Sequence, residues 1–176
     1  MVRHFLLPAV TLVASAIAIA VLFFYSPLIQ LPASAIDSSE SLMLTSMENI
    51  GPMNEKQAEK IVEHAMRYES AVIFCHADWH MTSQVTRPDF ARLVVAYHRT
   101  YPEQEIGFHY LNLTEARSKP LLLIPNPEEI RLVGSSYLIW LREGQLATAR
   151  FLGIDEDIDD LVEATRSYTE RRRTMR

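Results

Sequence analysis

The chain contains a single cysteine, Cys75, and this limits the thiol chemistry that it can perform. A lone thiol cannot form an intramolecular disulfide, a Cys-x-x-Cys redox pair or a metal site built from several cysteines. Residues 71–74 directly before it are apolar and partly β-branched, which is typical of a buried strand. We therefore predict that Cys75 is buried and unreactive, because a reactive thiol needs exposure and an electropositive neighbour.

Other side chains that could bind a metal or take part in catalysis follow Cys75 at short spacing. His76, Asp78 and His80 would lie on one face of a continuing strand and, with Cys75, would offer ligands to a metal. The strand is expected to end by Asp78, so we predict no metal and no cofactor, and keep a His76/His80 site as an alternative. His80 with Ser83 lacks an apparent third group to orient the imidazole, and we predict no catalytic residue.

Charge and composition exclude some classes of function. The formal net charge of −5 argues against a nucleic-acid-binding protein, which usually presents a basic face. The exception is a basic tail over residues 171–176, which contains four arginines. We interpret it as a solubilising tail, with weak contact to anionic lipid or an acidic partner as the alternative.

An uncharged apolar run, Phe5–Tyr25, precedes everything else. Its 21 residues would form a helix of about 30 Å, which matches the hydrocarbon core of a bilayer. Arg3 lies before the run and no Lys or Arg follows until Lys56. The positive-inside rule then predicts a single-pass membrane protein: residues 1–25 form the cytoplasmic N-terminus and anchor, and the domain is periplasmic.

A cleaved signal peptide is the alternative to an anchor, with a small-residue site at 33–35. The run exceeds the usual apolar region of about 7–15 residues, and that site lies well beyond its end, so we favour the anchor. Residues 26–53 are rich in serine and proline and are predicted to be a tether, with a short helix or strand over Leu42–Ile50 as an option.

Residues 54–170 are predicted to form one α/β domain. The first half is predicted to contain a helix capped by Asn54, a strand over 71–76, a helix over 83–101 that is bent at Pro88, and a strand over 106–113. After an irregular connection, we predict a hairpin with strands over 137–141 and 146–152 and a turn at Glu143-Gly144. A helix over 157–169 ends the domain. The strand–helix–strand unit implies parallel pairing and the hairpin antiparallel pairing, so we expect a mixed central sheet flanked by helices.

Several short stretches in this order resemble the thioredoxin-like fold family. Residues 77–83 (ADWHMTS) resemble its A-x-W-C-G-P-C motif, and Pro88 lies five residues after Ser83, as the family's helix proline lies after its second cysteine. Further similar stretches are Leu111–Leu113 with the next strand, 141–145 with the hairpin turn, and Gly153 with the glycine before the last helix. The resemblance covers about Asn54 to Thr169 and implies a thioredoxin-like fold.

The departures from the family pattern predict the loss of its chemistry. His80 stands at the first cysteine and Ser83 at the second, so neither the attacking nor the resolving thiol is present. Ser136 falls at the family's cis-proline, where we expect a trans bond, since a non-proline cis bond costs about 2.5–4 kcal/mol. The family's buried acid falls on Phe74. The resemblance therefore implies a redox-inactive member.

What remains of the family site is a surface that can bind a protein. The resemblance implies that Trp79 is exposed beside Met81, and aromatic and methionine side chains are favoured as interface anchors. We predict binding by Trp79, His80, Met81, Ser83 and Ser136, in a membrane-tethered domain that acts in protein binding or assembly with an unknown protein partner. The alternatives are a thiol- or metal-dependent oxidoreductase, and an accessory structural subunit of a membrane complex.

Overall fold

A computed structural model of the chain describes residues 33–132 and 135–169, with side chains described from residue 40. The predicted anchor, Phe5–Tyr25, and the arginines of 171–176 lie outside these ranges. Within them, no helix is long and apolar enough to cross a membrane.

Eight helices and strands, with one 3-10 helix, make up the described chain. The helices are α1 (Ala33–Glu48), α2 (Glu55–Ala65), α3 (Met81–Thr100) and α4 (Ile158–Thr169), and the 3-10 helix is Lys119–Leu123. The strands are β1 (Ser70–His76), β2 (Gly107–Asn112), β3 (Tyr137–Arg142) and β4 (Gln145–Phe151). From α2 onward, this is the order that the sequence predicts.

The four strands form one mixed sheet in the order β2-β1-β3-β4. Strand β1 pairs parallel with β2, so that His76 faces Asn112 at their shared C-terminal end. It pairs antiparallel with β3, and β3 pairs antiparallel with β4. The crossover through α3 and the β3–β4 hairpin confirm the predicted mixed sheet and give the thioredoxin-like arrangement that the resemblance implies.

Alternation along β1 divides the core into two layers. Val72 and Phe74 point into the layer under α1, α3 and α4, whereas Ile73 and Cys75 point into the layer under α2 and the 3-10 helix. Phe74, which the resemblance aligns with the family's buried acid, is fully buried and stacks on Phe90 with ring centroids 5.1 Å apart. An apolar contact therefore occupies that position.

Local signals fix two of the element boundaries. The Asn54 side chain accepts a hydrogen bond from the Gln57 backbone at 3.0 Å, and the Gln57 side chain accepts one from the Asn54 backbone at 3.0 Å, so a capping box starts α2. Glu143 and Gly144 have φ values of 53° and 72°, as a tight hairpin turn requires.

The predicted tether over 26–53 contains helix α1. Met47 is buried in the first core layer, and Met43 and Leu44 pack beside it at helical spacing. Helix α1 packs on α3, because its apolar stripe covers the first core layer. The boundaries of the domain, and whether the chain is cleaved after residue 35, stay predictions.

Candidate functional site

An exposed apolar surface lies where β1 passes into α3. Trp79 is 64% exposed and Met81 is 79% exposed. Val85 lies one helical turn after Met81 and is also exposed. We call these three side chains the Trp79 surface. Large apolar side chains that a fold leaves exposed in a cluster are typical of an interaction site.

A buried hydroxyl network lies beside this surface. The Ser83 and Ser136 hydroxyl oxygens are 2.8 Å apart, and His80 Nδ1 is 3.2 Å from the Ser136 oxygen. Both serines are fully buried, and His80 is half-buried. The structure thus brings together the three residues that the resemblance places at the two cysteines and the cis-proline.

Ser136 is held by its backbone as well as its side chain. Its N–H donates to the Cys75 carbonyl and its carbonyl accepts from the Leu152 N–H, both at 2.7 Å. Its φ is 60°, in the left-handed region, and no cis peptide bond occurs in residues 33–132 and 135–169. The trans bond expected at Ser136 is therefore present. Strained backbone of this kind persists because several contacts determine it.

The hydroxyl network stabilises the turn and is poorly placed for catalysis. A serine nucleophile must reach a substrate, and neither Ser83 nor Ser136 is accessible to solvent. Their hydroxyl groups satisfy one another and His80, as buried polar groups normally do.

His76 holds the start of the same turn. Its side chain is fully buried, with Nδ1 3.2 Å from the Ser83 carbonyl oxygen and Nε2 2.9 Å from an Asp78 carboxylate oxygen. Both partners are acceptors, so both contacts are hydrogen bonds when each ring nitrogen carries a hydrogen. Each ring nitrogen lies within hydrogen-bonding distance of an oxygen of the protein, so a metal would have to displace one of these contacts.

Asp78 is fixed from a second side by Thr114. The Asp78 N–H donates to the Thr114 hydroxyl at 2.8 Å, and this hydroxyl lies 3.1 Å from the carboxylate. Burial opposes ionisation of Asp78, but hydrogen bonds from His76 and Thr114 outweigh it and lower the pKa of the carboxyl. Sequence reasoning missed the role of Thr114, although its position just after β2 puts it next to the end of the parallel strand β1.

Cys75 is fully buried, as predicted. Burial raises the pKa of its thiol, which keeps the group protonated at neutral pH. Thiolate chemistry therefore has no support at this position. In the part of the chain that the structure describes, no group of three or more His, Cys, Asp or Glu residues is arranged to hold a metal ion.

Comparisons with known proteins find similarity at the level of solved structures. No protein-family model and no curated protein matches the chain. A mutant thioredoxin from Halobacterium salinarum is 16% identical over 68% of this chain and 89% of its own, with a TM-score of 0.40. Trxlp from Edwardsiella tarda is 16% identical over 65% of this chain and 95% of its own, with a TM-score of 0.40. Spinach chloroplast thioredoxin f is 17% identical over 81% of this chain and 99% of its own, with a TM-score of 0.45. These similarities concern the fold alone.

Proposed function

We propose that this chain is a membrane-tethered, thioredoxin-like module that does not exchange thiols and disulfides and that binds other proteins through the Trp79 surface outside the cytoplasm. One observation carries the proposal. Trp79 and Met81 are 64% and 79% exposed, directly beside a buried network that fills the positions of the missing thiols.

The loss of redox activity follows from the chemistry of exchange. A thiolate must attack a disulfide, and a second thiol must then release the mixed disulfide. His80 and Ser83 replace the two thiols, and Cys75 is buried with a raised pKa. The alternative of a thiol- or metal-dependent oxidoreductase needs Cys75 to become accessible, or His76 to exchange its contact with Asp78 or with the Ser83 carbonyl for a metal.

Binding is supported by how firmly the surface is held. His76 and the hydroxyl network connect the turn to β1, α3 and β3, so Trp79 is carried on a preorganised segment. A preorganised surface loses less conformational entropy on association. Tryptophan is among the side chains that contribute most at interfaces.

The tether is proposed from the sequence alone. An uncharged run of 21 residues, Phe5–Tyr25, has the length of a transmembrane helix, and the positive-inside rule puts the domain on the periplasmic side.

A photoreactive amino acid at position 81 of the full chain, expressed in membranes, tests the binding role and leaves Trp79 in place. We expect discrete adducts from position 81 and none of the same mass from position 122, where Leu122 is 85% exposed but lies on the 3-10 helix. Identical adducts from both positions, or none from position 81, would refute docking at this surface.

Insulin reduction by the purified full chain tests the redox part separately. We expect no catalysis by the wild type. Catalysis that disappears in Cys75→Ala would show that the thiol is used, and would overturn the redox-inactive assignment while leaving the binding test intact.

A further inference from the structure

The methionines of the described ranges differ widely in exposure. Met47 and Met53 are buried in the two core layers, and Met43 and Met66 pack against the same layers. Met81, at the first position of α3, is 79% exposed. Among the side chains described over 40–132 and 135–169, it is therefore the one methionine that the fold leaves mostly open to solvent.

The single thiol of the chain does not compete with Met81 for oxidants. Cys75 is fully buried, and burial raises the pKa of its thiol, so the reactive thiolate is suppressed. A thioether carries no proton that must leave before its sulfur reacts. Its oxidation therefore depends on access to the sulfur, and the position of Met81 provides this access.

Met81 belongs to the Trp79 surface. Trp79 precedes it by two residues, and Val85 follows it by one helical turn, so Met81 and Val85 lie on one face of α3. The ring of His80 meets the Trp79 ring at its edge, with centroids 5.8 Å apart, whereas Met81 is the most exposed of the three apolar side chains. An atom added to the Met81 sulfur would thus meet a docked partner and not the core.

We propose that Met81 is a modification site, that hydroperoxides oxidise its thioether to the sulfoxide, and that this change releases the partner from the Trp79 surface. The proposal rests on the docking role of the proposed function and adds its regulation. Methionine sulfoxide reductases reverse this oxidation, so the modification can act as a switch.

The step is a transfer of one oxygen atom, in which the Met81 sulfur attacks the hydroperoxide. One S–O bond forms as the O–O bond breaks, and the sulfur gives two electrons to the peroxide. The oxygen that leaves takes up the proton of the oxygen that is transferred, so hydrogen peroxide yields water. The balance requires no cofactor and no second side chain.

The sulfoxide changes what the surface presents to a partner. A flexible apolar side chain acquires a polar S–O group in place of its thioether. In an apolar contact such a group loses its water without gaining a hydrogen bond, which weakens association. Because the Met81 side chain projects into solvent, oxidation should alter binding and leave the fold unchanged.

Peptide mass spectrometry of the full chain, treated with hydrogen peroxide in mild detergent, tests the choice of site. We expect Met81 to gain one oxygen about tenfold faster than Met47 or Met53, with the circular dichroism spectrum unchanged. Oxidation of Met47 or Met53 as fast as that of Met81 would overturn the site, whether or not a partner docks.

A photoreactive amino acid at position 85 of the full chain in membranes tests the switch, since it leaves Trp79 and Met81 in place. We expect peroxide to reduce the yield of the partner adduct about tenfold, and methionine sulfoxide reductases with dithiothreitol to restore it. Met81→Leu should give equal yields before and after peroxide, because leucine has no sulfur. The same loss in Met81→Leu as in the wild type would overturn the role of Met81.

The switch and the docking role fail in different ways. An adduct that survives peroxide, while mass spectrometry finds the Met81 sulfoxide, refutes the switch and leaves docking standing. Absence of any adduct from positions 81 and 85 in untreated membranes refutes docking itself, and the switch with it.

Discussion

Acidification should destabilise this domain through His109. The ring lies between His64 and Tyr68, with centroids 5.5 and 5.4 Å away, and its Nε2 is buried without a hydrogen-bond partner. Burial, and then the positive charge of His64, lower the pKa of His109 from 6.5 to about 4. Between these two pKa values, the imidazole of His109 is protonated in the unfolded chain but not in the folded protein.

The sign and size of the effect follow from this difference in pKa. Above pH 6.5 neither state is protonated at His109, and the residue leaves stability unchanged. As the pH falls from 6.5 towards 4, the unfolded chain binds more protons and the free energy of unfolding falls by about 1.4 kcal/mol per pH unit. The full loss is about 3 kcal/mol, and about 2 kcal/mol after allowance for the partial exposure of the ring.

Urea unfolding of the full chain in mild detergent, followed by circular dichroism, measures this loss. His109→Leu is the test variant, since a larger ring would crowd Gly107, against which Nε2 packs. We expect its stability to depend less on pH between 7 and 4 by about 2 kcal/mol. His98→Leu should reduce the pH dependence in the same direction, because burial also lowers the pKa of His98, so the loss in each variant reports its own ring. An unchanged pH dependence in His109→Leu would refute the reasoning.

Other substitutions test the contacts that build the turn and the hairpin. Ser136→Val puts a β-branched side chain at a φ of 60° and removes the buried hydroxyl, and should lower the free energy of unfolding by about 2–4 kcal/mol in urea titrations. Ser136→Gly, which keeps the backbone allowed, should cost about 1 kcal/mol; equal losses would contradict strain at this position. Gly144→Ala should cost more than about 1 kcal/mol, because a Cβ would lie 2.8 Å from the Met66 carbonyl oxygen at a φ of 72°. Asn54→Ala should cost about 1 kcal/mol through loss of the capping box, and a loss below a few tenths would show that the cap is dispensable.

Local patterns in the sequence account for much of the fold. The apolar run before Cys75, the cap at Asn54 and the Glu143-Gly144 turn each act within a few residues, and the structure has a strand, a helix start and a hairpin turn at these places. Burial of Cys75 follows from the same run, because a central strand with helices over both faces is buried on both sides.

Helix α1 shows where local patterns are insufficient. Several serines interrupt the apolar face of α1, and serine is a weaker helix former than alanine or leucine, so the intrinsic tendency of this segment to form a helix is weak. Its structure depends on packing of Met43 and Met47 against the first core layer and on two ion pairs with α3. The two ion pairs join residues 39 and 52 positions apart, and no short sequence window contains both partners.

The contacts that join the residues of the candidate site could not be predicted from the sequence. Aligning from the hairpin turn brings Ser136 to the site, yet its bonds to Ser83 and His80 join residues 53 and 56 positions apart. The pairing of His76 with Asp78 and the Ser83 carbonyl depends on how α3 begins, which periodicity does not define.

The most direct test of the central claim uses a photoreactive residue at position 81 in the full chain, read with and without Trp79→Ser. If the Trp79 surface is the docking site, this substitution should reduce the yield of the partner adduct at least tenfold, since an anchoring tryptophan contributes about 2 kcal/mol or more. Leu122→Ser, at a side chain that is more exposed than Trp79 but lies on the 3-10 helix, should leave the yield unchanged. Equal yields from the wild type and Trp79→Ser would contradict docking at this surface.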